Sequence, residues 1–181
     1  STHCISSAAS DVYKRQNETG VTLEEERRRV IPVVERLVKE GFIVSVDTSK
    51  PEIMTEVASL GAHILNDIRG FEMPGALEAA AATDCGLVVM HRSATTDYKD
   101  VVAEVEAYLQ ERQRLLEGLG VSADRICWDP GFGFGKTVEQ NFALLGSTER
   151  FVASGQPYLM GLSRKSSIGA ATGHKLSLIH I

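Results

Sequence analysis

The sequence predicts an α/β fold built on a parallel sheet of about five βα units, and three observations carry that prediction. From Thr22 onward, short β-branched runs alternate with longer helical patterns, the signature of successive βα units. The apolar runs lack strict alternation, as expected of strands covered on both faces. A chain of 181 residues, 43% hydrophobic and 24% charged, is long enough to bury a core and fits one domain.

The elements follow in order. A first helix opens at Thr22-Leu-Glu-Glu25, a capping box in which the Thr22 hydroxyl and the Glu25 carboxylate each satisfy a backbone donor. Val30, Val34, Leu37 and Val38 form its buried stripe, and Pro32 inside it removes one hydrogen bond and kinks the first turns. Strands are expected at 42–46, 62–66, 86–90, 125–128 and 158–162. Pro51, at a favoured first helical position, opens the second helix and Gly61 ends it. The alanine-rich 74–83 is helical. So is 98–119, where Val101, Val105, Tyr108, Leu109 and Leu115 recur at helical spacing. Two further helices start at Val138 and Ser166. Residues 1–16 and 176–181 share no periodicity with the interior and are expected to be non-native tails, leaving the fold to 17–175.

Composition narrows the function. Nineteen Lys+Arg against 24 Asp+Glu give a net charge of -5, without the broad basic field that nucleic-acid backbones require. No apolar run reaches the roughly 18 residues of a membrane span, and the N-terminus lacks a secretory apolar region, so the chain is expected to be cytoplasmic. Cys4, Cys85 and Cys127 are too few and too irregular for a disulfide framework or a zinc site, and Cys127 reads as a small apolar core residue.

Ligands of parallel α/β folds sit at the carboxyl ends of the strands. Here those ends read Asp47-Thr-Ser-Lys50, Asn66-Asp-Ile-Arg69, Met90-His-Arg92, Asp129-Pro-Gly-Phe-Gly-Phe-Gly-Lys136 and Ser163-Arg-Lys165-Ser166. A lone Asp there is often a helix cap and a lone Asn a turn former. Five successive strands with polar groups at the same end instead point to one shared ligand rim, with Asp47, Asn66 and Asp129 facing Lys165 and Arg164. The glycine run is no Walker loop, because Pro130 stands where the first glycine is needed, and no dinucleotide fingerprint, because Lys136 stands at the third. It lets a loop close around a ligand, with Phe132 or Phe134 as an aromatic wall. Ser163 lacks the closing glycine of a nucleophile elbow. His91 reads as a polar rim residue and His63 as structural. Two carboxylates, an amide and a lysine suit a planar heterocycle with an amidine-like edge, such as a pterin.

Four stretches in order, Ser45-Val-Asp47-Thr-Ser-Lys-Pro51, Gly61-Ala-His-Ile-Leu-Asn66-Asp-Ile-Arg69, Asp129-Pro-Gly-Phe-Gly-Phe-Gly-Lys136 and Gly161-Leu-Ser-Arg-Lys165-Ser166, resemble the dihydropteroate synthase family. The resemblance implies a TIM (β/α)8 barrel, of which this chain matches roughly strands three to seven. It implies condensation of 6-hydroxymethyl-7,8-dihydropterin pyrophosphate with 4-aminobenzoate, giving 7,8-dihydropteroate and pyrophosphate in folate biosynthesis. By position, Asp47, Asn66 and Asp129 would hold the pterin edge, with Ile68, Met90 and Phe134 lining the pocket. Lys165 would bond the ring, and Gly161, Ser163, Lys165 and Ser166 would border the aminobenzoate. Asp47 and Lys165 are the expected catalytic residues. Mg2+ and a homodimer are expected of the complete enzyme, but the family's magnesium-binding Asn, its Thr-Arg pair and its Arg-x-His are not matched. The expectation is therefore a fragment, inactive alone, that carries the pterin half of the site. Two alternatives are the pterin-binding domain of a methyltetrahydrofolate-dependent methyltransferase, against which the Ser-Arg-Lys-Ser run argues, and a non-catalytic pterin-binding module.

Overall fold

The computed structural model describes residues 21–173 apart from Arg164. Cys4 and the tails expected at 1–16 and 176–181 lie outside the described residues. In chain order the elements are α1 (Leu23–Lys39), β1 (Ser45–Asp47), α2 (Pro51–Ser59), β2 (Ile64–Asp67), α3 (Ala76–Ala81), β3 (Gly86–Met90), α4 (Val101–Gly118), a 3-10 turn (Ala123–Arg125), β4 (Ile126–Asp129), α5 (Val138–Gly146), α6 (Thr148–Val152) and α7 (Ser166–Thr172). The four strands pair in sequence order, each parallel to the next. Among the described residues, no helix is long and apolar enough to cross a membrane.

Local chemistry explains the helix ends. Thr22 caps α1 by accepting the Glu25 N–H at 3.3 Å, but the Glu25 carboxylate turns to Arg28 and Arg29 instead of closing the expected box. The helix runs through Pro32, which lies on its exposed side, and buries Val34. A reciprocal capping box forms elsewhere, between Thr137 and Gln140 at the start of α5. Asp100 caps α4 by accepting from Val102 and Ala103. That helix buries Val101, Val105, Leu109 and Leu116, while Leu115, expected in the stripe, is 39% exposed.

Alternation along the strands divides the sheet into two faces. Val46, Leu65, Leu87, Val89, Ile126 and Trp128 join one core with the helices, among them Ile53, Met54 and Val57 of α2. The other face carries Asp47, Asn66, Val88 and Cys127, which stand in register across all four strands, and Met90 beside Asp129 one step further on. Among the described residues, Ile68, Val88, Met90 and Phe132 are buried but do not join that core. Cys127 is only half-buried on this inner face, so it is not the core residue expected.

Two strands differ from expectation. Residues 42–43 are exposed and precede β1. The run at 158–162 makes a single parallel bridge, Trp128 with Tyr158, in which the Trp128 N–H donates to Pro157 and the Leu159 N–H donates to Trp128. Extending the ladder needs an N–H at residue 130, and Pro130 has none.

Candidate functional site

The inner face gathers the acidic residues the sequence singles out. Asp47 ends β1, Asn66 is its register partner on β2, and Asp129 ends β4 beside Met90. Asp47 Oδ1 and Asn66 Oδ1 are buried without a hydrogen-bond partner. Two such acceptors, side by side, are a demand for donors that the protein does not meet. Burial, then the neighbouring Asp67 carboxylate, push the Asp47 carboxyl up to about 8; the Asn66 amide opposes this, while Asp129 and Glu26 add to it. Burial likewise raises Asp129 to about 6, against the pull of the Gly131 N–H, Lys165 and Lys136. The Gly131 N–H donates to Asp129 Oδ1 at 2.7 Å.

Lys165, just before α7, completes the group. Its Nζ stands 3.9 Å from the centre of the Phe134 ring, a cation–π contact, and its charge holds the Asp129 carboxyl down. Its stem lies close against Gly133. Phe134 is half-buried beside Lys165, whereas Phe132 is 1% exposed and packs edge-on against Phe142. Ile68 and Met90 are each 3% exposed and fit a pocket lining. Gly161 is half-buried, and Ser163 and Ser166 are exposed on the segment that carries Lys165. Arg164 lies outside the described residues.

Several polar residues shape the site without having been read as part of it. Asp67 is fully buried and accepts from Ser49 Oγ and from the N–H groups of Arg69 and Phe71. It thereby holds the turn that presents Ile68, in which Phe71 takes a φ of 61°. Glu26 of α1 accepts from Thr48 and Lys50, tying the loop after Asp47 to the first helix. His91 is no rim residue: it is 7% exposed, edge-on to Tyr108, and burial followed by the Lys136 charge lower it to about 4. His63 is exposed just before β2 and accepts the Val44 N–H, a local structural bond. Among the described residues, no group of three or more His, Cys, Asp or Glu side chains could hold a metal ion.

The family model described as "Pterin binding enzyme" matches residues 11–178. The dihydropteroate synthase of Escherichia coli K12 is 44% identical over 163 residues, covering 86% of this chain and 58% of the relative. That of Haemophilus influenzae is 41% identical over 165 residues, covering 86% of this chain and 60% of the relative. Among solved structures, Xanthomonas albilineans dihydropteroate synthase with 4-aminobenzoic acid superposes with a TM-score of 0.84 at 47% identity, covering 87% of this chain and 59% of that one. The same enzyme in complex with 7,8-dihydropteroate gives 0.83 at 44% identity, covering 93% and 70%. The chain therefore spans somewhat under two thirds of these dihydropteroate synthases, and its parallel α/β architecture is similar to part of their barrel fold.

Proposed function

The chain belongs to the pterin-binding enzyme family, and from that premise we propose that it carries the pterin-holding half of a cytoplasmic dihydropteroate synthase. The observation that carries the reading is the inner face on which Asp47 and Asn66 offer unmet buried acceptors, with Asp129 one step further on and Lys165, over the Phe134 ring, holding the Asp129 carboxyl down.

A pterin presents an amino group and a ring N–H on one edge and a carbonyl beside them. Asp129 accepts from that edge through its second carboxylate oxygen, the first being held by Gly131. Asn66 both donates and accepts, which suits a ring edge of mixed polarity. Phe134 covers one ring face, Ile68 and Met90 complete the apolar lining, and Lys165 donates to a ring carbonyl or nitrogen. Lys165 also borders the second substrate, 4-aminobenzoate, with Gly161, Ser163 and Ser166 along its edge.

In the condensation, the bond between the pterin methylene and pyrophosphate breaks, pyrophosphate takes the electron pair, and the aniline nitrogen of 4-aminobenzoate attacks the methylene and then loses a proton. Positive charge grows on the pterin as the leaving group departs. Burial holds the Asp47 carboxyl largely protonated near neutral pH. A ring gaining positive charge favours its anion, so Asp47 stabilises the transition state more than the ground state. Magnesium, expected of the complete enzyme, finds no cluster of three or more His, Cys, Asp or Glu side chains among the described residues.

A chimera in which the matching 86% of this chain replaces the aligned segment of the Escherichia coli relative tests the reading. It should form dihydropteroate from the two substrates. A folded, inactive chimera that also fails to bind 6-hydroxymethylpterin would remove the assignment.

A further inference from the structure

The loop after β4 approaches the loop after β3 so closely that there is no room for side chains between them. A Cβ at Gly131 would collide with the His91 carbonyl and one at Gly135 with the Ser93 carbonyl, and both glycines take positive φ, 70° and 62°. Into this seam runs the half-buried Lys136. Its Nζ lies 3.1 Å from His91 Nδ1, 3.0 Å from the carbonyl oxygens of Gly131 and Phe134, and 3.4 Å from that of His91.

We propose that Lys136 is a positioning residue for the pterin site: its ammonium, donating to the His91 imidazole and to the Gly131 and Phe134 carbonyls, fixes the glycine loop so that the Gly131 N–H meets Asp129 and the Phe134 ring meets Lys165. The proposal rests on the reading of Asp129 and Phe134 as pterin contacts.

The hydrogen-bond count assigns the protons. Carbonyls only accept, and an ammonium has three protons, one each for Gly131 O, Phe134 O and His91 Nδ1. His91 must then carry its own proton on Nε2. Burial and the adjacent Lys136 charge lower its pKa to about 4, which keeps the imidazole neutral and able to accept. Burial also draws Lys136 down to about 7, the Asp129 carboxylate opposing this. Were Lys136 a neutral amine, its lone pair would face the imidazole and His91 would protonate Nδ1 instead. The two arrangements therefore predict opposite tautomers.

The rest of the loop is fastened independently. Asn141, fully buried, accepts the Gly133 N–H at 2.7 Å and donates to the Lys136 and Thr137 carbonyls and to Ser167 of α7. Losing Lys136 should therefore loosen Gly131 and Phe134 without unfolding the loop.

The test is 15N NMR of the imidazoles, with amide hydrogen exchange, on the 181-residue chain and its Lys136→Met variant at pH about 5.5, where Lys136 is an ammonium and His91 is neutral. In the parent chain His91 should carry its proton on Nε2. In the variant that tautomer preference should fall, and Gly131 exchange should speed at least tenfold while β2 amides keep their rates. Affinity for 6-hydroxymethylpterin, read by fluorescence, should fall in step. A proton on His91 Nδ1 in the parent overturns the proposal even if the variant fails to fold, and so does a Gly131 rate within twofold of the parent. If the tautomer and exchange results hold but the parent binds no pterin, the ligand reading fails, and with it what Lys136 positions the loop for.

Discussion

Asp47 should cost the fold stability that its replacement by Asn returns. Its carboxyl is raised from an ordinary 3.8 to about 8, mainly by burial and then by the Asp67 carboxylate. Below 3.8 the folded and unfolded chains both hold the proton, and Asp47→Asn should change nothing. Between 3.8 and about 8 the unfolded chain releases the proton while the folded chain keeps it, so stability falls as pH rises. Above about 8 the full cost stands. Some four pK units at about 1.36 kcal/mol each set a ceiling near ~6 kcal/mol. Solvent reaching the partly exposed side chain screens part of this, leaving about 2 kcal/mol as the expected gain at pH 8.5. Urea unfolding followed through the single Trp128, itself 3% exposed, reads this as a midpoint raised by about 1 M at pH 8.5. At pH 4 the two midpoints should coincide. An Asp47→Asn midpoint unmoved or lowered at pH 8.5, or raised equally at pH 4, would refute the burial argument. A gain in stability with a loss of pterin affinity is the usual mark of a site strained for function.

Four further outcomes are expected. The 181-residue chain alone should release no pyrophosphate above a no-enzyme control when given both substrates, and release dependent on both would overturn this. Asp129→Asn in the active chimera should weaken pterin binding at least about tenfold by calorimetry with the fold intact; parent affinity should decline below pH about 6, where Asp129 gains its proton and loses the charge-assisted pairing with the amino edge. Lys165→Ala should lower chimera kcat/KM about a hundredfold, roughly 2.7 kcal/mol, and Lys165→Arg should restore little of it, because a planar guanidinium does not reproduce the donor geometry of a compact ammonium. Gly135→Ala should destabilise the chain by more than about 2 kcal/mol in urea, since its Cβ meets the Ser93 backbone at a positive φ.

The fold was legible where the signal is local. β-branched runs located all four ladder strands to within three residues, because apolar continuity between covered faces is written along the strand itself. Proline at residue 51 and glycine at 61 bracketed α2 for equally local reasons. The fifth run was apolar enough to read as a strand, yet it pairs at one residue, because the ladder depends on a partner N–H that Pro130 withholds on another segment. The Glu25 half of the first capping box failed for a related reason: Arg28 and Arg29 are in reach, and a charged partner outcompetes the backbone donor.

The site divides along the same line. The positions of Asp47, Asn66 and Asp129 could be read from the sequence because each stands at or next to a strand end; parallel register pairs Asp47 with Asn66, and Asp129 follows one step further on, beside Met90. The buried polar residues around them could not, since each acquires its role from a distant partner: Lys136 from His91, 45 residues away, Glu26 from Thr48, 22 away, and Asn141 from Ser167, 26 away. Lys136 was in plain view at the end of the glycine run, but a lysine is ordinarily a solvated charge. The signal that could have found it is the glycine spacing: Gly131 and Gly135 bracket a loop pressed against another backbone, and the lysine next to that seam points at its carbonyls and at the His91 ring. Glycines that make room for backbone, not for a ligand, require something to hold the two backbones together. In this chain the held backbone is the one whose Gly131 N–H meets Asp129 and whose Phe134 ring meets Lys165, so loosening the strut should be felt at both.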